Sequence, residues 1–351
     1  MLKVALTTFG ALWLVGCTSS MSPTDAPCDP YAEPGPYVAG VRTLDVDGVL
    51  VEVWYPAAES AEGMPNDVYD MRDALPESMR AEIGADEPTT FETMARRDAP
   101  VADGSFPLVF FSHGLGGFRQ QSSFVTAHLA TWGMVVAAPE HAERNLDAVL
   151  SNAALSDEAI PQIRAAREAL AAEPWVDDSR VAVVGHSAGG GAVAALVDDE
   201  DFGARAWVVH ASIAAPNARV PGLLLGGGND AIAVPETVAR TFEESENELA
   251  RYASIDGAGH LAFSDICVIG RERGGVLQIA MDAGLEISDL VVTLATDGCG
   301  PDDLPAEDAW PVIRHYTTAT LREALVPEAD GLAPDASACF DGLVTTDRSA
   351  E

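Results

Sequence analysis

The segment VAVVGHSAGGG, residues 181–191, constrains the fold of this 351-residue chain more than any other stretch. An apolar run leads into the pattern G-x-S-x-G, here GHSAG, and small residues that can begin a helix follow it. A serine on a sharp strand-to-helix turn needs small neighbours two positions before and after it, because strand and helix must approach closely. The pattern therefore predicts a strand, a strained turn that exposes the Ser187 hydroxyl, and a helix.

Strand-like and helix-like segments alternate on both sides of this turn. Buried strands are predicted over Leu108–Phe111, Met134–Ala138, Val181–Val184, Ala206–Val209, Gly222–Leu225 and Arg251–Ile255. Helices are predicted over Gln120–Trp132, Pro161–Ala172, Ala188–Val197 and Pro235–Glu246. Because parallel strands need crossover connections, this order predicts an α/β fold: a mostly parallel central sheet with helices on both faces.

Three further segments flank this alternation. Antiparallel strands are predicted within residues 37–56. Residues 57–104 are acidic and irregular, and we expect an insert there with a helix over residues 69–83. Residues 268–345 form a C-terminal extension in which Asp308–Leu325 is predicted to be a last, peripheral helix. We therefore expect residues 37–345 to form one domain.

The N-terminus has the composition of an export signal. Val4–Val15 is a mostly apolar run that is too short to cross a bilayer comfortably. It ends in the letters LVGC, which resemble the lipobox of bacterial lipoproteins; the alternative is an ordinary signal peptide in which Cys17 is incidental. We expect residues 1–17 to be a lipoprotein signal peptide and residues 18–36 to be a flexible tether. The resemblance implies an exported lipoprotein, periplasmic or on the cell surface, anchored through Cys17.

The other four of the five cysteines are an even number, which in an exported protein indicates two disulfides. Three pairings are possible. We favour Cys267–Cys299, whose members are close in sequence, together with Cys28–Cys339, which joins the two ends of the chain. No C-x-x-C spacing occurs, so the sequence does not support a zinc site.

The formal net charge is −35, from 20 basic and 55 acidic residues. A surface this acidic repels nucleic acid and anionic lipid headgroups. We therefore expect no nucleic-acid partner, and contact with a membrane only through the N-terminal lipid. Neither charge nor composition defines an oligomeric state.

A serine needs a base to become a nucleophile, and the base needs an orienting acid. In α/β architectures with a serine turn of this kind, the chain order is serine, acid, histidine. Three histidines follow Ser187. His210 precedes every plausible acid, and His315 lies in a helix-like run where a surface or packing role is expected. His260, in the flexible loop DGAGH directly after a strand, is the predicted base.

The acid is identified by exclusion. No Asp or Glu occurs between Ala206 and Asn229, so the loop after the strand Ala206–Val209 cannot supply it. Asp230 follows the next strand, 30 residues before His260, and is the predicted partner of the imidazole. The alternatives are an Asp230 that only forms a turn and Asp256 as the acid.

Two backbone N–H groups are predicted to bind the oxyanion of the reaction. The residue after the nucleophile, Ala188, supplies one of them. The glycine-rich loop SHGLGGF follows the strand Leu108–Phe111, and Leu115 in that loop is the predicted second donor. His113 and His186 lie beside these positions, where we expect them to form supporting hydrogen bonds rather than to bind a metal.

The segments FSHGLGGFRQQSS, GHSAGGG, GGNDAIA and GAGH resemble, in order and spacing, the serine esterases of the α/β-hydrolase superfamily. HGLG-x-x-R with GHS-x-GG is similar to the platelet-activating factor acetylhydrolase family. RQQSS, the serine turn, NDAIA and GAGH are similar to bacterial cutinases and polyester hydrolases. The resemblance covers residues 104–263 and implies a lidless or lightly covered site. The chain departs from polyester hydrolases at Leu115 and Ala188, where those enzymes usually have an aromatic residue and Met.

These observations predict an exported serine hydrolase that cleaves carboxylic esters with short or medium acyl chains through an acyl-enzyme. The expected partner is a small-molecule, lipid or polyester ester, and the chemistry needs no cofactor and no metal. Two alternatives stay open: an acyltransferase or peptidase on the same fold, and a non-catalytic surface protein with a hydrolase fold.

Overall fold

The computed structural model describes residues 29–156, 158–326, 329, 336–340 and 342–349. A ten-stranded sheet lies at the centre of this part of the chain, and a second sheet has two strands. The strands are β1 (Val38–Val46), β2 (Val49–Ala57), β3 (Val68–Asp70), β4 (Thr90–Glu92), β5 (Ala95–Arg97), β6 (Phe106–Ser112), β7 (Val135–Pro139), β8 (Val176–His186), β9 (Ala204–His210), β10 (Gly222–Gly227), β11 (Ala250–Ile255) and β12 (Val344–Ser349).

The strand order of the large sheet is β12-β11-β10-β9-β8-β6-β7-β2-β1-β5. The strands from β6 to β11 are parallel to their neighbours in that group, whereas β1 and β2 form an antiparallel hairpin beside β7. The predicted α/β fold with a mostly parallel sheet is therefore confirmed. The parallel strands end at one edge, where their C-terminal loops meet.

Helices cover both faces of this sheet. They are α1 (Glu77–Arg80), α2 (Ser123–Thr131), α3 (Leu146–Leu150), α4 (Ala159–Ala171), α5 (Gly189–Val197), α6 (Pro235–Glu243), α7 (Gly275–Asp282), α8 (Asp289–Thr296) and α9 (Ala306–Leu325). Side chains of α2 and α9 share one apolar cluster, and those of α4, α5 and α6 share another. Among the described residues, no helix combines the length and the apolar character that a bilayer span needs.

Alternate residues of each central strand contribute to the two clusters. On β6, Val109 and Phe111 face α2 and α9, while Leu108 and Phe110 face the opposite cluster. Both faces are buried, which explains why the strands are continuous apolar runs rather than alternating ones.

Two helix predictions differ from the structure. The helix predicted over residues 69–83 is replaced by β3, a short 3-10 turn over Met71–Ala74 and the single turn of α1. Pro76 has no N–H to continue a helix and lies instead directly before α1. The last helix is present, but it is not peripheral: α9 packs against β9 and α2, and His315 on it is buried.

The described residues test only part of what the sequence predicts for the N-terminus. Residues 1–28, which include the predicted signal peptide and the predicted lipidation site Cys17, lie outside the described residues. Residues 29–36 belong to the segment predicted as a tether, yet Tyr31 is buried and packs its ring against Trp132 and His315. The ordered domain therefore begins before residue 37.

The C-terminal extension is linked to the core by a disulfide. Cys267 and Cys299 form the bond predicted for them, with their Cα atoms 5.0 Å apart. Cys339 is disulfide-bonded as well, and Cys28, the partner predicted for it, lies outside the described residues. Between Cys267 and Cys299 the chain forms α7 and α8, which the sequence pattern left unassigned.

A buried carboxyl group joins the insert to the core. Asp265 accepts hydrogen bonds from the Tyr69 hydroxyl (3.0 Å), from the N–H (2.8 Å) and hydroxyl (2.6 Å) of Ser123, and from the Phe124 N–H (3.1 Å). Burial raises the pKa of Asp265 to about 7, although these donors act in the opposite direction. One side chain thus connects the insert, the start of α2 and the segment after His260.

This shift gives the first prediction, a loss of stability as the pH rises. The pKa of Asp265 in the folded protein is above its value in the unfolded chain. Its contribution to the free energy of unfolding is therefore complete at acidic pH and is lost as the pH rises through about 7. Between pH 5 and 8, the free energy of unfolding of the wild type should fall by about 2 kcal/mol more than that of Asp265→Asn. Urea unfolding of both proteins across this range measures the difference. Parallel pH curves would show that Asp265 stays ionised throughout.

Candidate active site

Ser187 occupies the turn between β8 and α5 in a strained backbone conformation. Its φ angle is 54°, in the left-handed region that residues other than glycine rarely adopt. Its N–H donates to the carbonyl oxygen of His210, 2.9 Å away, which fixes the turn to the neighbouring strand. A Cβ on Gly189 would lie 2.0 Å from the Ser112 oxygen, and one on Gly185 would lie 2.6 Å from the Gly189 carbonyl carbon. Both positions therefore require glycine.

The structure brings Asp230 and His260 together. Asp230 follows β10, His260 follows β11, and both side chains are buried. His260 Nδ1 donates to Asp230 Oδ2 across 2.9 Å. The other carboxylate oxygen, Oδ1, accepts from the N–H groups of Ile232 (2.8 Å) and Ala233 (2.7 Å). Because Nδ1 carries the proton of the neutral ring, Nε2 retains its lone pair.

Ser187 and His260 line the same pocket, which has a volume of about 50 Å³. Within the part of the chain that the structure describes, no hydrogen bond joins Ser187 Oγ to His260 Nε2. Catalytic hydrogen bonds of this kind are often long in ligand-free enzymes and tighten when substrate binds.

The glycine-rich loop after β6 forms the opposite wall of this pocket. A Cβ on Gly114 would lie 3.0 Å from the Ser187 Cβ, so the loop backbone runs directly past the serine. Among the described backbone hydrogen bonds, none has the N–H of Leu115 or Ala188 as its donor. Within the described residues, the two groups predicted to bind the oxyanion therefore have no hydrogen-bond acceptor.

Buried Arg144 holds this loop in place. Its guanidinium donates to the Ser112 hydroxyl (2.9 Å) and to the His113 carbonyl oxygen (3.0 Å). Its own carbonyl oxygen accepts from the Gly116 N–H at 2.9 Å. No sequence pattern pointed to this residue, because an isolated arginine between two strands is usually a surface residue.

His113 and His186 support the two loops as neutral side chains. His113 Nδ1 donates to the Gly114 carbonyl oxygen (2.9 Å), and its Nε2 accepts from a backbone N–H. His186 Nε2 donates to the His260 carbonyl oxygen (3.2 Å), and Gln121 Nε2 donates to His186 Nδ1 (3.0 Å). Burial lowers the pKa of His113 to about 3, and burial together with the neighbouring His260 lowers the pKa of His186 well below its ordinary value. Within the described ranges, no group of three or more metal-ligating side chains occurs.

Asp297 joins the loops that carry the acid and the base, and sequence reasoning missed it. Its Oδ1 accepts from the His260 N–H (2.8 Å), and its Oδ2 accepts from the Ala231 N–H (2.9 Å). Its carbonyl oxygen accepts from the Leu261 N–H at 2.8 Å. Gly298 follows, and a Cβ on Gly259 would lie 2.4 Å from its Cα atom, so the two backbones are in close contact.

The only sequence signal for this contact was the proximity of Asp297 to Cys299. The disulfide to Cys267 fixes the end of α8 beside the loop of His260, and Asp297 lies two residues before that cysteine. Neither spacing nor composition shows which loop an acidic side chain of the extension will reach.

The insert and the extension also cover the pocket more fully than the resemblance implied. Met71 of the insert lines it, together with Val291 and Leu294 of α8. Leu294 lies close to the glycine-rich loop of residues 112–118, the oxyanion loop, since a Cβ on Gly116 would be 3.6 Å from the Leu294 Cδ1. The expectation of a lidless or lightly covered site is therefore wrong, because these two segments line the pocket.

Comparisons with known proteins agree with this architecture. The sequence matches the family described as platelet-activating factor acetylhydrolase, isoform II, over residues 13–166. It matches the family described as PET hydrolase-like over residues 102–271, a range that contains Ser187, Asp230 and His260. The chain thus resembles both families, each over less than half of its length.

Two individual proteins extend this result. The platelet-activating factor acetylhydrolase of Cavia porcellus is 42% identical over 52 residues, which are 14% of this chain and 12% of that protein. A ferulic acid esterase from Streptomyces cinnamoneus superposes with a TM-score of 0.60 at 22% identity, covering 84% of this chain and 92% of that one. The superposition with the ferulic acid esterase structure shows that the two proteins share a fold.

The fold and the site define a class of protein: an α/β-hydrolase fold with a serine on the strained turn after β8, the third of the parallel strands β6 to β11 in chain order. The two matched families are described as an acetylhydrolase and as PET hydrolase-like, and this chain resembles both of them over part of its length.

The contacts of Asp297 give the second prediction. Asp297→Ala removes the acceptors of the His260 and Ala231 N–H groups, so the imidazole and its acid lose their shared support. We expect kcat for a p-nitrophenyl ester to fall roughly 10- to 100-fold with little change in KM, because small misplacements of catalytic groups have effects of this size. Asp297→Asn keeps one acceptor oxygen, so its kcat should lie between those of the wild type and Asp297→Ala.

The matched control is Asp302→Ala, an exposed carboxylate five residues further along the same segment. It should retain the wild-type kcat. An Asp297→Ala enzyme as fast as this control would contradict a positioning role for Asp297.

Proposed function

We propose that this protein hydrolyses carboxylic esters through a covalent acyl-enzyme on Ser187. The observation that carries the proposal is the buried hydrogen bond from His260 Nδ1 to Asp230, in a pocket that His260 shares with Ser187. The resemblance to two families of ester hydrolases supports the choice of an ester as substrate. The expected substrates are small-molecule or lipid esters with short or medium acyl chains.

The first half of the reaction forms the acyl-enzyme. His260 Nε2 takes the proton of the Ser187 hydroxyl while Oγ attacks the ester carbonyl carbon. The N–H groups of Leu115 and Ala188 donate to the oxyanion that forms. The tetrahedral intermediate collapses as the bond to the alcohol oxygen breaks, and His260 returns the proton to that oxygen. Asp230 stays ionised and stabilises the imidazolium.

The second half repeats these steps with water. His260 Nε2 takes a proton from a water molecule, whose oxygen attacks the acyl carbon. The same two N–H groups stabilise the second oxyanion. The bond to Ser187 Oγ then breaks, and the serine regains a proton from His260. The products are a carboxylic acid and the free enzyme.

Removing the nucleophile is the third prediction. Ser187→Ala should abolish hydrolysis of a short p-nitrophenyl ester, because no other described group can form the acyl-enzyme in this pocket. The control is Ser212→Ala, a buried serine beside Gly190 that does not line the pocket, and it should keep most of the activity. Circular dichroism confirms that both variants are folded. Substantial ester hydrolysis by Ser187→Ala would contradict the proposed role of Ser187 as the nucleophile.

We also propose that the protein is exported and anchored to a bacterial membrane through lipid on Cys17. The support is the apolar run of residues 4–15 and the lipobox-like LVGC that ends it. Tyr31, which is buried in the folded domain, lies fourteen positions after Cys17 in the sequence. The enzyme would then act on esters at or near the membrane surface.

The anchor gives the fourth prediction. When the full chain is expressed in a bacterial host with a clickable palmitate analogue, the wild type should be labelled and should sediment with membranes. Cys17→Ser should lose both properties, while Cys28→Ser, the matched control, keeps them. An unlabelled wild-type protein would rule out the anchor and leave the ester hydrolysis unaffected.

A further inference from the structure

A second, apolar cavity of about 70 Å³ adjoins the pocket of Ser187. Four residues line both spaces: Met71, Leu146, Val291 and Ala295. Through these shared walls the cavity lies directly beside the pocket. It lies where the insert, α3 and the two helices α7 and α8 meet.

The walls of this cavity are almost entirely aliphatic. The insert contributes Leu75, Met79 and Ile83, and the extension contributes Ile279, Leu285 and Ile287. Two polar residues also line it, but both bond to Asp70: the Arg72 guanidinium donates at 2.9 Å and the Thr89 hydroxyl at 2.8 Å. With their polar atoms held in this way, the cavity has no free charge for a polar ligand.

Its position relative to the catalytic groups identifies which half of an ester would occupy it. The leaving alcohol must lie within reach of His260 Nε2, which returns its proton. His260 lines the first pocket but not the second. Leu146 lines both spaces, and its N–H donates to the Gly117 carbonyl oxygen (2.9 Å) at the end of the oxyanion loop, so the second cavity borders the oxyanion side of the serine. That side of the serine receives the acyl group.

We propose that this cavity is the acyl-chain subsite of the enzyme and that it binds an unbranched aliphatic chain of medium length. The inference rests on the proposed ester hydrolysis at Ser187. The insert and the C-terminal extension thus determine specificity, because each supplies one wall of the subsite. Each methylene buried there contributes about 0.8 kcal/mol, which is roughly a fourfold gain in kcat/KM per carbon until the cavity is full.

The fifth prediction concerns kcat/KM for two series of esters. One is p-nitrophenyl acylates from acetyl to dodecanoyl, and the other is alkyl acetates from ethyl to dodecyl. Wild-type kcat/KM should rise with acyl length to a maximum at medium chains and change little with the alcohol. Ala280→Phe fills the cavity from α7 and should reduce the ratio of kcat/KM for octanoyl to kcat/KM for acetyl at least 10-fold.

Two further variants control for general damage. Met281→Phe adds a ring at the next residue of α7, which is 53% exposed and does not line the subsite, and it should keep the wild-type profile. Met79→Ala enlarges the cavity from the insert and should move the maximum to longer acyl chains.

The outcomes separate the two proposals. A wild type that cleaves no ester of either series overturns the proposed function itself. An active wild type whose acyl profile is the same in Ala280→Phe and Met79→Ala overturns the subsite alone. A response of the alkyl acetates rather than the acylates also overturns it, because the cavity would then bind the alcohol.

Discussion

The hydrogen bond from His260 to Asp230 is the interaction on which the rest of the site depends. It is buried, it is 2.9 Å long, and it selects the ring tautomer whose Nε2 can accept a proton. Two backbone N–H groups on the other carboxylate oxygen keep Asp230 from rotating away. In the proposed reaction, little reorganisation is needed when positive charge forms on the imidazole, because this geometry exists before substrate binds.

The segments outside the central sheet maintain that geometry and shape the pocket. Asp297 connects the loops of the acid and the base, and the Cys267–Cys299 disulfide fixes the segment on which it lies. Asp265 links the insert to α2 and to the segment after His260. The insert and the extension thus contribute to the candidate site, because the extension holds the loops of Asp230 and His260 together and both segments line the pocket of Ser187.

Much of the fold followed from local sequence patterns, and the long-range contacts did not. The apolar strands and the strained turn at Ser187 were predictable because strand periodicity and the small residues Gly185 and Gly189 act locally. Order along the chain also selected Asp230 and His260. Asp297 and Arg144 were missed because their roles depend on which distant loops they reach. The helix α9 was misplaced at the periphery because its polar residues, such as Thr317 and His315, are buried in side-chain contacts that no pattern predicts.

The central claim is that the strained turn presents an activated nucleophile at Ser187. Reaction of the folded protein with a fluorophosphonate probe, followed by peptide mass spectrometry, tests it without knowledge of the natural substrate. We expect one adduct per chain, on Ser187, and much slower labelling when Asp230 is changed to Asn. A folded wild-type protein that acquires no adduct, or acquires it on a different residue, would contradict the assignment.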